Sequence, residues 1–403
     1  MRRVYFDNNA TSPVDPEVLE AMLPYLTSEF GNASSIHSYG QRSRGAVEKA
    51  RAQVAALLGA KASEIFFTSG GTEGDNLCIF GLVGAACTGS AIPAGKRAHI
   101  ITSTIEHSAV KNTCEALEKG IGCDPCDVTY VTVGSDGIIS PEDVRRAIRP
   151  ETVLITIMHA NNELGTVQPL EAIGKIAAEH DIFFHTDAVQ AAAKVPIDVE
   201  KFQLDALSIS GHKINAPKGV GACYVRGGTL MRPFMFGGHH ERDRRPGTEN
   251  VPGIVALGKA AELAKQRLDA GELEHLAALR NRLEEEIVRR VPQARINGNR
   301  AQRTPNTTNI TFQHVEGEAL VIALDLKGLA CSTGAACSSG AVAPSRVLTA
   351  IGMPAAEARA TLRISLGHSS TDEDVDFALN VIPAAVEHLR ELSPLYKKQA
   401  VAT

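Results

Sequence analysis

The chain has 403 residues, a formal net charge of −5, an ordinary hydrophobic share of 44% and no Trp. That length gives room for two domains with a sizeable core, and the acidic balance argues against a general attraction to nucleic acid or anionic membrane. The start, Met1-Arg2-Arg3-Val4-Tyr5-Phe6-Asp7, lacks the apolar stretch of a signal peptide, and no run approaches the ~20 apolar residues of a membrane span. A cytoplasmic protein is therefore expected, with its eight cysteines as thiols rather than a disulfide frame.

From residue 60 to residue 225 short apolar runs alternate with helical patterns. Strands are predicted at 65–68, 99–102, 153–158, 182–185, 206–209 and 222–225. Helices are predicted at 75–86, 108–119, 141–148 and 170–180. Such alternation implies a parallel or mixed sheet covered by helices. After Gly253 the texture changes. One long helical pattern covers 255–290, then come a strand at 307–312, a helix at 316–327, a Gly/Ser/Cys loop at 332–340, a strand at 361–366 and a helix at 372–392. This reads as a smaller α+β domain joined by the N-terminal segment. Residues 242–246 form a short basic loop flanked by Gly and Pro. No internal repeat is visible.

The chemistry concentrates where predicted strands end. In Ser208-Ile209-Ser210-Gly211-His212-Lys213 a strand is followed by a lysine placed to form a Schiff base with an aldehyde cofactor. A lysine there is more often solvated, so three further segments matter. His185-Thr186-Asp187-Ala188-Val189-Gln190 puts an acid at a strand's carboxyl end, the face where α/β sheets bind ligands. That acid either caps a helix or holds a pyridinium nitrogen protonated. Thr68-Ser69-Gly70-Gly71-Thr72-Glu73-Gly74 links a strand to a helix, and its N–H and hydroxyl groups suit a phosphate dianion. Ile105-Glu106-His107-Ser108 places an imidazole where it either caps a helix or stacks on a ring. Each segment is a weak signal alone. Their common position makes them converge on one pocket.

With these residues in view, the chain resembles the cysteine desulfurases of the NifS/IscS kind (class I), fold-type I pyridoxal-phosphate (PLP) enzymes related to the class V aminotransferases. The resemblance runs through Asp7-Asn8-Asn9-Ala10-Thr11, Gly31-Asn32-Ala33-Ser34-Ser35-Ile36-His37, residues 68–76, Glu106-His107, residues 159–165, 187–190 and 210–221, and Arg363-Ile364-Ser365-Leu366-Gly367. It implies an α/β fold with a seven-stranded, mainly parallel sheet in a large PLP-binding domain (14–256), and a small α+β domain (1–13 and 257–403). By the same resemblance Lys213 is the Schiff-base lysine, Asp187 the pyridinium partner, Gln190 the donor to the ring's 3-oxygen and His107 the stacking, catalytic histidine. Gly71, Thr72, Ser210 and His212 form the phosphate cup. Thr248 reaches the phosphate of the other subunit of a homodimer. Asn162 lies near cofactor and substrate, and Asn162 and Arg363 meet the carboxylate of L-cysteine, which a guanidinium can bind through two parallel hydrogen bonds.

Ala335-Ala336-Cys337-Ser338-Ser339-Gly340 is a loop of small residues suited to swinging a thiol between a cofactor and an acceptor. The resemblance makes Cys337 the catalytic persulfide carrier. Its cargo would pass to acceptor proteins such as an iron–sulfur assembly scaffold or a tRNA thiolation enzyme. Cys331 is expected to pack under that loop. Cys123-Asp124-Pro125-Cys126 has metal-like spacing but no second ligand pair, so no metal is expected. Cys78, Cys87, Cys114 and Cys223 are expected in the core. His239 stands where the family pattern has a third glycine, which puts the local backbone in question. The rival readings are a selenocysteine lyase or aminotransferase of the same fold, and a non-catalytic scaffold that keeps the fold.

Overall fold

The computed structural model describes residues 2–88, 92, 95–333, 344–393 and 396. Its strands are β1 (Val4–Tyr5), β2 (Ile65–Thr68), β3 (His99–Ser103), β4 (Asp127–Val131), β5 (Thr152–Thr156), β6 (Phe183–Asp187), β7 (Ala206–Ser210), β8 (Gly221–Val225), β9 (Ala294–Ile296), β10 (Thr307–Phe312), β11 (Leu329–Ala330) and β12 (Thr361–Ser365). Seven of them form one sheet in the order β2-β8-β7-β6-β5-β3-β4. Six strands run parallel and β8 runs against both its neighbours. The expected α/β class and seven-stranded sheet are thus present.

The near-continuous apolar runs mark strands covered on both faces. Alternate side chains enter opposite cores, as the period of two requires. Ile65, Phe67, Ile101, Ile155 and Leu207 face one core with the helices Ser38–Leu58, Leu170–Glu179 and Val251–Asp269. Phe66, Ile100, Leu154 and Cys223 face the other with Gly71–Thr88 and Ser108–Glu118. Strand β4 escaped the sequence reading because Asp127-Val128-Thr129-Tyr130-Val131 is an edge strand, mostly half-exposed, with no apolar run to betray it.

A second core gathers around the antiparallel sheet β12-β10-β9 and the parallel pair β1 and β11. The helices Glu272–Arg290, Gly317–Leu326 and Asp372–Leu392 contribute their buried faces to it. The single helix predicted over 255–290 is in fact two, Val251–Asp269 and Glu272–Arg290. Gly271 separates them at φ +76°, a left-handed conformation that a helix cannot continue through. The change of core falls there too, since Ala264 belongs to the first core and Leu276 to the second.

The N-terminal segment stitches the two together. Val4 and Phe6 sit in the second core. Asn8 N–H donates to Ser365 O, and Ser12 N–H donates to His212 O. Residues 7–12 therefore lie across the carboxyl ends of the large sheet.

Candidate active site

In the strand order, β3 is flanked by β4 on one side and β5 on the other, so the connections reverse direction between β3 and β5. A crevice at the carboxyl ends of the strands beside such a reversal is where open α/β sheets place their ligands. A cavity of about 590 Å³ occupies that place. Its walls include Gly71, Thr72, His107, Asn162, Asp187, Gln190, Ser210, His212, Lys213 and Arg363. One cavity thus gathers all the sequence-predicted site residues except two. Thr248 is exposed and lies outside it, and Cys337 lies outside the described residues.

Lys213 closes a one-turn helix, Gly211–Lys213, directly after β7. Its ammonium donates to the carbonyls of Asn9 (2.6 Å) and Ala10 (2.7 Å). Asp187 is the last residue of β6. Its Oδ1 accepts from the N–H of Val189 at 2.9 Å, which fixes the carboxylate on the turn that follows. His107 caps the helix Ser108–Glu118 and also lines the cavity. Its Nδ1 accepts from Ala109 N–H at 3.1 Å, so the ring's proton resides on Nε2 when neutral. Burial and the cations Lys213, Lys218 and Lys194 push His212 down to about 4, so its ring is neutral near pH 7.

The β2 turn has the form of an anion cradle. The helix Gly71–Thr88 begins at the cavity with Gly71, and its first N–H groups have no intrahelical acceptors. Gly71 is required by closeness of approach. A Cβ there would stand 2.6 Å from Val189 Cγ2. Arg245 holds this turn from the other side through Glu73 (Nε to Oε1, 2.7 Å).

Arg363 is almost fully buried on β12, an outer strand of the second core's sheet. Its Nη2 donates to Asp7 Oδ1 at 2.7 Å and its Nη1 to Asn162 O at 3.3 Å. The arginine expected to meet a substrate carboxylate is thus also tied to an internal one, which holds its fork in place. Its Nε is buried with no hydrogen-bond partner among the described residues.

Two residues that carry the site were not singled out in the sequence. Asp75 is fully buried, and its Oδ1 lacks a hydrogen-bond partner among the described residues. Burial and the neighbouring Asp187 push its carboxyl well above the usual range. Asp75, His107 and Asp187 bring a ligand atom each within 4.8 Å of one another, the one such group among the described residues. The signal available was an acid on the helix face that the sheet buries. Asn9 is the other residue. Its carbonyl accepts from both Lys213 and Gln190, and its side chain spans Thr307 and Asn162. No local pattern reveals a contact spanning two hundred residues.

Against this geometry the comparisons are direct. Residues 4–377 match the family model described as aminotransferase class-V. The cysteine desulfurase IscS of Methanosarcina thermophila is 50% identical over 99% of this chain and 95% of its own length. The chain belongs to the cysteine desulfurases. The IscS of Dictyoglomus turgidum is 46% identical over 99% of this chain and 98% of its own. Among solved structures, one titled a NifS-like protein superposes with a TM-score of 0.87 at 37% identity, covering 96% of this chain and all of that one. Another, titled SspA in complex with cysteine, gives 0.78 at 41% identity, covering 91% and 99%. No described helix of this desulfurase is long and apolar enough to cross a membrane.

The described cysteines sort by burial. Cys78, Cys114, Cys126 and Cys223 are buried, while Cys87 is only half-buried, against expectation, because it lies near the end of its helix. Cys331 packs in the second core, and burial pushes its thiol up to about 12. His239 adopts an ordinary φ of −81°, so it tolerates the place of a glycine. The strain sits just beyond it, where Glu241, Arg242 and Asp243 all have positive φ. A buried ion pair between Glu241 and Arg51 holds that turn.

Proposed function

We propose that this desulfurase binds pyridoxal phosphate on Lys213 and uses it to take sulfur from L-cysteine onto Cys337, releasing L-alanine. The observation that supports this most is the convergence of Lys213, Asp187, His107 and the Gly71 turn on one cavity. The residues fit the cofactor. The turn offers the start of the helix Gly71–Thr88 and the Thr72 hydroxyl at the cavity wall for a phosphate, and two carboxyls with an imidazole suit a protonated ring nitrogen. When bound, the cofactor supplies an electron sink for the substrate's Cα.

The chain's residues then have distinct tasks. Lys213 takes the proton from Cα. Arg363, with Asn162, orients the substrate carboxylate. Asp187 would hold the ring nitrogen protonated, with Asp75 buried beside it, its carboxyl pushed up by burial and by Asp187. His107, with its proton on Nε2, passes protons within the cavity. The Cys337 thiolate attacks the substrate's sulfur, forming a persulfide as the C–S bond breaks. An acceptor protein, an iron–sulfur scaffold or a tRNA thiolation enzyme, then takes the terminal sulfur. This reading assigns the catalytic loop to a smaller unit (1–13 and 257–403) beside a larger one (14–256), while the helix Val251–Asp269 itself packs in the larger unit's core.

The same reading makes the protein a homodimer in which Thr248 serves the other subunit's phosphate site. Its exposure outside its own cavity supports this. Large apolar side chains left exposed, Leu230 and Phe236 among them, are surface that a second copy would cover.

The test is Cys337→Ser. The variant should keep the yellow, near-visible band of the bound cofactor and lose production of alanine and sulfide from cysteine. Continued turnover would remove Cys337 from the mechanism. A colourless wild-type protein, purified with added PLP, would remove the cofactor.

A further inference from the structure

A second lysine lies behind the first. Lys194 follows the Asp187 turn and is buried. Its Nζ donates to Gln190 Oε1 at 2.6 Å and to Asn9 Oδ1 at 3.3 Å. It does not line the central cavity. It lines a separate one of about 260 Å³, which Lys213 also borders. Burying a lysine costs free energy unless the ammonium has partners, and here it has two, Gln190 and Asn9.

Gln190 is an amide whose two ends differ chemically but hardly in shape. An ammonium can only donate. Lys194 therefore draws Oε1 to itself and turns Nε2 the other way, where it donates to Asn9 O at 2.9 Å. Nε2 carries a second hydrogen, and Gln190 lines the central cavity. The same Asn9 carbonyl accepts from Lys213 at 2.6 Å. Lys194, Gln190, Asn9 and Lys213 thus form one chain of hydrogen bonds, with Asn306 Nδ2 donating to Asn9 Oδ1 (3.1 Å) at its margin.

We propose that Lys194 is a positioning residue for the desulfurase reaction: it locks the Gln190 amide with its N–H₂ toward the cavity, as donor to an oxygen of the ring held on Lys213. This rests on the cofactor reading above. An N–H donated to a ring oxygen stabilises that oxygen's anion and so favours loss of the proton it shares with the Lys213 linkage. Where Lys194 is charged, the cation behind Lys213 acts in the same direction. Burial, together with Lys213 and Arg363, lowers Lys194 itself to about 7, so the two lysines sense each other. Across the second cavity the charged or titratable groups are Arg267, Glu272, His275 and His368.

The experiment uses the holoenzyme and its visible band, titrated with pH. Lys194→Met removes both the fixed orientation and the cation, so the band's transition should move up by roughly half a pH unit or more. In a Gln190→Ala background the same substitution should move it by less than half as much, because the amide it acts through is gone. Lys194→Arg, which also only donates, should titrate closer to wild type than Lys194→Met. Lys194→Gln keeps polarity but allows the amide to turn, and it should shift the same way as Lys194→Met. It carries the test should the Met variant fail to fold. A folded Met or Gln variant with the wild-type transition overturns the proposal. So does a full shift that persists without Gln190. A wild-type protein with no visible band would instead sink the cofactor reading on which the proposal stands.

Discussion

Gly71→Ala tests the cofactor cradle at its tightest point. The substitution adds one Cβ, 2.6 Å from Val189 Cγ2, whereas ordinary contact begins near 3.4 Å. Gly71 does not adopt a positive φ, so alanine meets no backbone penalty and the whole effect is steric. About 0.8 Å must be found by moving the helix start or Val189. Either movement disturbs the site, because Val189 N–H holds Asp187 Oδ1. Overpacking of this kind costs ~1–3 kcal/mol. If that cost falls on the bound state, PLP affinity drops by roughly 5- to 140-fold at 1.4 kcal/mol per factor of ten. The assay is titration of the apoenzyme with PLP, followed by the visible band, with thermal unfolding alongside. Val189→Ala removes the clashing methyl, so the double variant should recover most of the loss. Gly45→Ala, in the exposed interior of the helix Ser38–Leu58 with nothing within 4 Å of the new methyl, should stabilise the protein by ~0.5–1 kcal/mol and leave PLP binding unchanged. Wild-type affinity in Gly71→Ala, or no recovery with Val189→Ala, would refute the steric reasoning.

Two further outcomes follow from buried charge. Arg51 and Glu241 form a two-pronged buried pair (2.6 and 2.9 Å), so Arg51→Met strands a carboxylate and should cost ~3–5 kcal/mol in denaturant unfolding. Adding Glu241→Leu should return much of it, and additive losses would show that the pair is not coupled. Burial lifts Glu106 to about 8, against 4.5 for an ordinary glutamate. The folded chain therefore keeps a proton that the unfolded chain releases, so this contribution is full below about 4.5 and is lost as pH rises toward about 8. Glu106→Gln keeps a hydrogen-bonding amide at the site and should flatten the fall in stability over that window. Parallel stability curves for variant and wild type would contradict the assignment.

Much of this desulfurase was legible before any coordinates. The strands of the large sheet announce themselves because burial on both faces demands uninterrupted apolar residues, as in β5 and β7. The residues proposed to hold the cofactor stand at the ends of those strands, so Lys213, Asp187 and His107 could be placed by order along the chain. Their functional meaning, however, came from resemblance, since each also had an ordinary structural role. His107 caps a helix and lines the cavity at once.

What only the tertiary structure decided depends on long-range pairing. The helices Pro16–Thr27 and Ser38–Leu58, in a stretch left unassigned from sequence, are part of the large core. The break at Gly271 depends on one backbone angle within an otherwise helical run. Asn9 reaches Lys213 across 204 positions and Asp7 reaches Arg363 across 356. Periodicity is a property of neighbouring residues and says nothing about such pairs. Asp75 and Lys194 read as unremarkable polar residues on local grounds, and only the fold shows them buried against the site. The sequence by itself determined which groups are available for chemistry. The packing of two cores across residues 7–12 determined which of them are held, oriented and shifted in charge.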